Sequence, residues 1–220
     1  MGSSILFVQN RTQRAGAQTC LARLLRHDGM RRWSPMLLCS GGGWLVEECA
    51  RYGVPVVEEG FPSSRSIPAR LYGNNAFGRR IAGKLDAQSA RPAIVHANDH
   101  TEGLLALELA KRLGARSAIF VRSPSMTRRD YFKYRCDRYD FISAVGDEIQ
   151  ARVQAWHAGR EIALIHDGIY AEEFGPPRPK SAGPPSRVLA IGSALEWKGW
   201  ADLTEALFRL EQEGALPPMQ

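Results

Sequence analysis

Residues 93–121 read AIVHANDHTEGLLALELAKRLGARSAIFV, and this stretch decides the fold. Ala93-Ile94-Val95-His96 is a short apolar run of the kind that forms a buried strand. Thr101 to Leu113 carries Leu104, Leu105, Leu107, Leu109 and Leu113, and Gly114 follows as a C-terminal cap, so the spacing predicts a helix there. Ser117-Ala118-Ile119-Phe120-Val121 is a second apolar run. Two strands separated by a full helix make a parallel pair, because antiparallel neighbours need only a tight turn.

The same rhythm extends in both directions. Ile5–Val8, Pro35–Cys39 and Val54–Val57 read as strands before this stretch, and Phe141–Val145 and Ile162–Ile165 read as strands after it. Helices are predicted around Cys20–Leu25, where Cys20, Leu21, Leu24 and Leu25 share a face, and over Trp44–Tyr52, Asp130–Tyr139 and Asp147–Trp156. Ile67–Ala90 is helix-prone, with Gly73-Asn74-Asn75 and Gly78 as expected interruptions. The alternation predicts an α/β fold: a Rossmann-like parallel sheet with helices on both faces. Right-handed crossovers place the strand-to-helix loops at one edge, where such sheets bind ligands. The loops that matter are therefore those after Val8, Cys39, His96, Val121, Val145 and Ile165.

Residues 175–186 contain five prolines, which neither a helix nor a central strand accommodates. They read as a linker between a domain at 1–174 and a fresh start at 187–220, with a strand at Arg187–Ile191 and a helix at about Ala201–Glu213. One strand and one helix do not bury their own apolar faces, so this portion is expected to be an incomplete second Rossmann-like domain. It is expected either to dock or to exchange between chains as a dimer.

Composition sets outer limits. Of 220 residues, 44% are hydrophobic and 24% charged, as in ordinary soluble domains. No apolar run approaches the ~18 residues of a membrane span, and no basic, apolar and cleavage regions mark a signal peptide, so a cytoplasmic protein is expected. Cys20, Cys39, Cys49 and Cys136 form no Cys-x-x-Cys pair and read as reduced, packed thiols. The net charge of +6 favours anionic partners. Arg122, Arg128, Arg129, Lys133, Arg135 and Arg138 interleave with Tyr131, Phe132, Tyr134 and Tyr139, as in helices that lie on anionic membrane surfaces. The competing reading turns the aromatics inward. No recognition motif accompanies the charge, which argues against nucleic acid.

Two segments carry a family resemblance. Ile165-His166-Asp167-Gly168-Ile169-Tyr170-Ala171-Glu172-Glu173-Phe174 resembles the segment that closes the first domain of family 4 glycosyltransferases. Ile191-Gly192-Ser193-Ala194-Leu195-Glu196-Trp197-Lys198-Gly199 resembles the motif that opens their second domain. The resemblance implies a retaining, metal-independent GT-B enzyme. Its N-terminal domain would hold a glycan or lipid-linked acceptor and its second domain a nucleoside-diphosphate sugar, with no other cofactor. A chain carrying only the start of that second domain is expected to be inactive alone.

The resemblance also implies site residues. Lys198 would supply the charge that grips the donor phosphate, and Ser193 stands where the family has an arginine. Gly16, beside Arg14 at the opening of the first helix, would let a ligand approach helix N-terminal amides. Arg122 would bind an anionic acceptor group or stabilise the leaving phosphate. His96, Asp99 and His100 follow another strand, and His96 and Asp99 are candidate acceptor residues; Asp99 could equally cap the next helix. A metal is not expected, because the spacing of the two histidines suits a helix and this stretch is a strand end. Asp167-Gly168 reads chiefly as a tight turn. A non-catalytic Rossmann-like nucleotide- or partner-binding module is the alternative, and a GT-B epimerase a further one.

Overall fold

The computed structural model describes residues 4–62, 74–176, 190–192 and 198–215. The chain divides into two compact units, Met1–Glu173 and Phe174–Gln220. In the first, seven strands form one parallel sheet: β1 (Ile5–Val8), β2 (Pro35–Cys39), β3 (Val56–Glu58), β4 (Ile94–Ala97), β5 (Arg116–Val121), β6 (Phe141–Ala144) and β7 (Ala163–Leu164). Their order is β3-β2-β1-β4-β5-β6-β7. The helices between them are α1 (Gly16–Arg26), the single turn α2 (Asp28–Arg31), α3 (Trp44–Tyr52), α4 (Asn74–Ala87), α5 (Gly103–Leu113), α6 (Arg128–Lys133) and α7 (Asp147–Trp156). The α/β Rossmann-like fold read from the sequence is the one observed.

Alternation along the strands sorts the core into two layers. Leu6, Val8, Leu38, Val95, Ala97, Ile119, Val121, Ile142 and Ala144 face α4, α5, α6 and α7. Phe7, Leu37 and Cys39 face the other way, against Leu21 and Leu25 of α1 and Leu45 and Cys49 of α3. β2 is buried at every position, as expected of a strand covered on both sides. The second layer thins out towards β6, where Phe141 is 51% exposed. Burial also explains the thiols: Cys39, Cys49 and Cys136 are packed in the core, and burial pushes Cys49 up to about 12.

Glycine fixes the ends of two helices. Gly53 (φ 69°) and Gly114 (φ 64°) adopt the left-handed conformation after α3 and α5, and Val54 and Ala115 then donate back to Cys49 and Ala110. Inside α4, Gly78 does not interrupt the helix, contrary to the sequence expectation. A Cβ there would lie 3.3 Å from Nε of Arg112, so its absence lets α4 pack closely on α5. The helix expected over Asp130–Tyr139 is shorter. α6 opens with a capping box between Thr127 and Asp130 and stops at Tyr134; Arg135 turns left-handed (φ 59°), and a single 3-10 turn covers Cys136–Arg138. This break drops Tyr139 into the core, where its hydroxyl donates to the carbonyl of Gly103 at 2.6 Å. The third strand begins two residues later than the apolar run, at Val56.

Among its described residues the second unit shows one α-helix, α8 (Trp200–Gln212), entered through the left-handed Gly199 (φ 72°). Positions 187–189 of the expected strand, and most of the proline-rich stretch, lie outside the described residues, and Ala190 and Ile191 are not in a strand.

Gly103 opens α5 where no larger residue fits, since a Cβ would sit 2.6 Å from the Tyr134 carbonyl oxygen. Gly103→Ala should therefore lower stability in urea unfolding by about 2 kcal/mol, the usual scale of overpacking, although alanine is the better helix former.

Candidate functional site

Strand order reverses between β1 and β4. Crossovers leave these two neighbours in opposite directions, so their carboxyl-end loops part and open a crevice. One buried side chain spans the divide. Asn98, just after β4, donates through Nδ2 to Oε1 of Gln9 (2.5 Å) and to the carbonyl of Ala17 in α1 (3.2 Å). Its own carbonyl accepts from Nε of Arg122 at 3.0 Å. Gln9 and Asn98 are both buried polar groups satisfied by each other.

The loop after β2 is tied to the same place. Gly41, Gly42 and Gly43 all have positive φ (109°, 54° and 94°). The Gly42 amide donates to the Glu58 carboxylate (2.7 Å), and the Ser40 hydroxyl to the carbonyl of Asn10 (2.6 Å). Leu45 donates to the carbonyl of Thr12, and a Cβ on Gly43 would come within 2.8 Å of the Thr12 hydroxyl. The loops after β1 and β2 are therefore tied to each other.

Gly16 is the first residue of α1. No side chain caps that helix, and its first turn has no acidic residue. A Cβ at 16 would meet nothing within 4 Å, so the chain itself does not require glycine. The terminal amides and their partial positive charge remain open to an anion or a hydroxyl. Arg14 lies nearby, its guanidinium 5.4 Å from the centre of the Trp44 ring.

Arg122 is less available than the sequence implied. Its Nη1 donates to both oxygens of Asp167 (2.5 and 2.6 Å), its Nε to Asn98, and its plane lies 4.0 Å above the Phe120 ring. The side chain is only 9% exposed and Asp167 28%. Burial, and then the neighbouring Asp167 carboxylate, push the Cys20 thiol up. Asp167-Gly168 is therefore not a tight turn: no turn forms there, and Asp167 is the counter-ion that locks the segment after β7 onto β5. That segment then crosses α1. Tyr170 donates to the carbonyl of Arg23, Glu172 pairs with Arg26, and Glu173 with Arg23.

His96, Asp99 and His100 separate. His96 points from within β4 towards Phe7, with ring centres 5.1 Å apart. Its Nδ1 is buried without a partner; burial, then the charge of Arg122, hold its proton affinity down at about 4, so it stays neutral. Asp99 accepts from the amide and from Nδ1 (2.7 Å) of His100, opening a 3-10 turn that leads into α5. Glu102, at the end of that turn, is 4% exposed, and burial pushes its carboxyl up to about 7. Sequence reasoning passed over Gln9, Asn98, Glu102 and Cys20; Asn98 lay inside the stretch singled out, but its spacing gave no sign of its span. Among the described residues, no three His, Cys, Asp or Glu side chains converge as metal ligands.

In the second unit, Lys198 directly precedes Gly199 and α8, and its stem lies 3.8 Å from where a Cβ on Gly192 would be. The glycine and the lysine of that motif thus come together; Ser193 lies outside the described residues. In the basic-aromatic stretch, Tyr131 and Tyr139 are buried while Phe132 is exposed. No helix among the described residues is long and apolar enough to cross a membrane. A cavity of about 990 Å³ opens at the opposite, amino-terminal edge beside Ser4, Ser34, Val54 and Arg91, away from these loops.

No protein-family model and no curated protein sequence matches the chain. Solved structures do. A glycosyltransferase from Rickettsia africae ESF-5 superimposes with a TM-score of 0.61 and 19% identity, covering 96% of this chain and 58% of that one. The lipopolysaccharide outer core galactosyltransferase WaaB gives 0.57 and 15%, covering 82% and 50%. Anabaena HepE in complex with UDP and glucose gives 0.55 and 12%, covering 76% and 45%. The fold is of the GT-B type. At these identities the likeness is one of architecture, and this chain spans about half the length of those proteins.

Two stability effects follow from the site. Arg122→Met and Asp167→Asn should each cost about 2 kcal/mol, and the double variant less than their sum, because each single change strands a largely buried partner; urea unfolding of the cycle measures this. For Glu102 the folded-state value lies above the ordinary 4.5, so its contribution to stability is present at low pH and lost as pH rises through 7. Glu102→Gln should raise the melting temperature at pH 8, by the equivalent of up to about 3 kcal/mol, and leave it nearly unchanged at pH 4.

Proposed function

We propose that this chain is the acceptor side, with the beginning of the donor side, of a retaining, metal-independent glycosyltransferase of family 4 type. The intact enzyme would move a sugar from a nucleoside diphosphate to a surface glycan or lipid-linked saccharide. The observation that carries this reading is the uncapped start of α1 at Gly16, open to ligand at the sheet's switch point. It gains support from the two motif-like segments and from an architecture shared with sugar-transferring enzymes, one of them solved with UDP and glucose. In this reading residues 1–174 hold the acceptor, 175–186 link, and 187–220 enter the donor lobe, where Lys198 meets the diphosphate.

Arg122 then serves differently from a free cation. Its charge is matched by Asp167, so it braces the loop that carries Asn98 and Asp99 against the acceptor. Catalysis rests on alignment and on stabilising the departing phosphate, with no protein nucleophile. The exposed Arg128, Arg129, Lys133, Arg135 and Arg138, with Phe132, would bring the site to an anionic membrane surface.

Chemical-shift mapping of the chain with oligosaccharide acceptors tests the proposal. Amides of residues 9–17 and 98–100 should move at millimolar sugar, and Gly16→Val should abolish the movement without lowering the unfolding free energy by more than about 1 kcal/mol, the helix-propensity difference. Saccharides that leave these amides still, while a nucleotide alone shifts them, would instead favour the binding-module reading.

A further inference from the structure

Glu102 has no part in the chemistry above, yet it is placed where two loops meet. Its Oε1 accepts from the backbone amide of Asn10 at 3.2 Å, and its Oε2 from the hydroxyl of Thr101 at 2.9 Å. Asn10 belongs to the loop after β1. Its carbonyl in turn accepts from the Ser40 hydroxyl at 2.6 Å, at the head of the three left-handed glycines. One carboxylate thus holds the β1 loop directly and the glycine loop at one remove.

The surroundings give this carboxylate a choice of state. The groups that face it are Asp99 on its own turn, Tyr139 beneath α5, and Tyr134 across a small cavity of about 60 Å³. Asp99 is the charged one among them, and its negative charge opposes ionisation of Glu102. The cavity is lined by Asn10, Asn74, Thr101, Glu102 and Tyr134 among others, polar enough and wide enough for one or two waters. A buried acid is thereby in reach of solvent protons without being exposed. Both of its hydrogen bonds are donated to it, so they are strongest when it is ionised, whereas burial favours the protonated acid.

We propose that Glu102 is a positioning residue that works as a proton-operated latch: ionised, it grips Asn10 and through Ser40 the glycine loop, and on protonation it lets both loops relax. The balance is simple. One proton from water adds to a carboxylate oxygen, and that oxygen changes from acceptor to donor. With the charge gone, the Asn10 amide is left with a neutral acceptor and a weaker bond, which loosens the loop. This rests on the hydrogen-bond geometry and not on the sugar-transfer reading, and holds for whatever ligand these loops meet.

The test is a pH titration by NMR of the ¹⁵N- and side-chain-carboxyl-labelled 220-residue chain. The Glu102 carboxyl should titrate at about 7, and the amides of Asn10, Ser40 and Gly42 should shift with that same midpoint. Glu102→Gln should remove the shared transition. The proposal is overturned if the wild-type carboxyl titrates near 4.5, if the loop amides ignore it, or if the loop transition survives in Glu102→Gln. The wild-type titration decides the matter even if the variant does not fold.

Discussion

A single buried amide, Asn98, holds the carboxyl edge of this sheet in one arrangement. A parallel sheet that reverses its strand order leaves a gap between the two central loops, and that gap must be bridged or filled with water. Here Asn98 bridges it, donating to Gln9 on one side and to Ala17 of α1 on the other, and it is itself held by Arg122. Remove that side-chain amide and the Gln9 oxygen loses its donor and the start of α1 loses its tether, while Arg122 still holds the backbone carbonyl of residue 98. Any ligand at this edge meets loops whose spacing that bridge sets.

The architecture was legible because it depends on pattern. Residues buried on both faces of β2, an amphipathic α5 and its glycine cap leave marks that elementary periodicity detects. The site was legible only in outline. Gly16, Asp99 and Arg122 do stand at the expected edge, but what each does is set by residues distant in sequence. Arg122 is neutralised by Asp167, forty-five positions away, and Glu102 reaches back ninety-two positions to Asn10. Spacing along a chain carries no information about such partners. The same limit explains Asp167-Gly168, whose composition suggested a turn and whose place in space made an ion pair. Gly78 shows the converse: a helix-breaking residue is accommodated because a neighbouring arginine needs the room.

Charge is used in this molecule mainly to hold segments together. The basic α1 residues Arg23 and Arg26 clamp the segment after β7 through Glu173 and Glu172, and Arg80 and Lys84 of α4 share Glu59. Exposed pairs of this kind contribute little singly, yet several across one crossing fix where a strandless stretch must run. The excess of positive charge therefore resides on other side chains, among them Arg128, Arg129 and Arg135 around α6, which lie outside these clamps.

The sheet's two rims have a consequence for how copies of the protein meet. β3 contributes three residues and β7 only two. A rim that brief exposes too few unpaired amides and carbonyls to seed a strand from another molecule, and the chain beyond β7 turns away at once over α1. Brevity at both margins gives the fold a built-in resistance to ribbon-like polymerisation, independent of its surface charge.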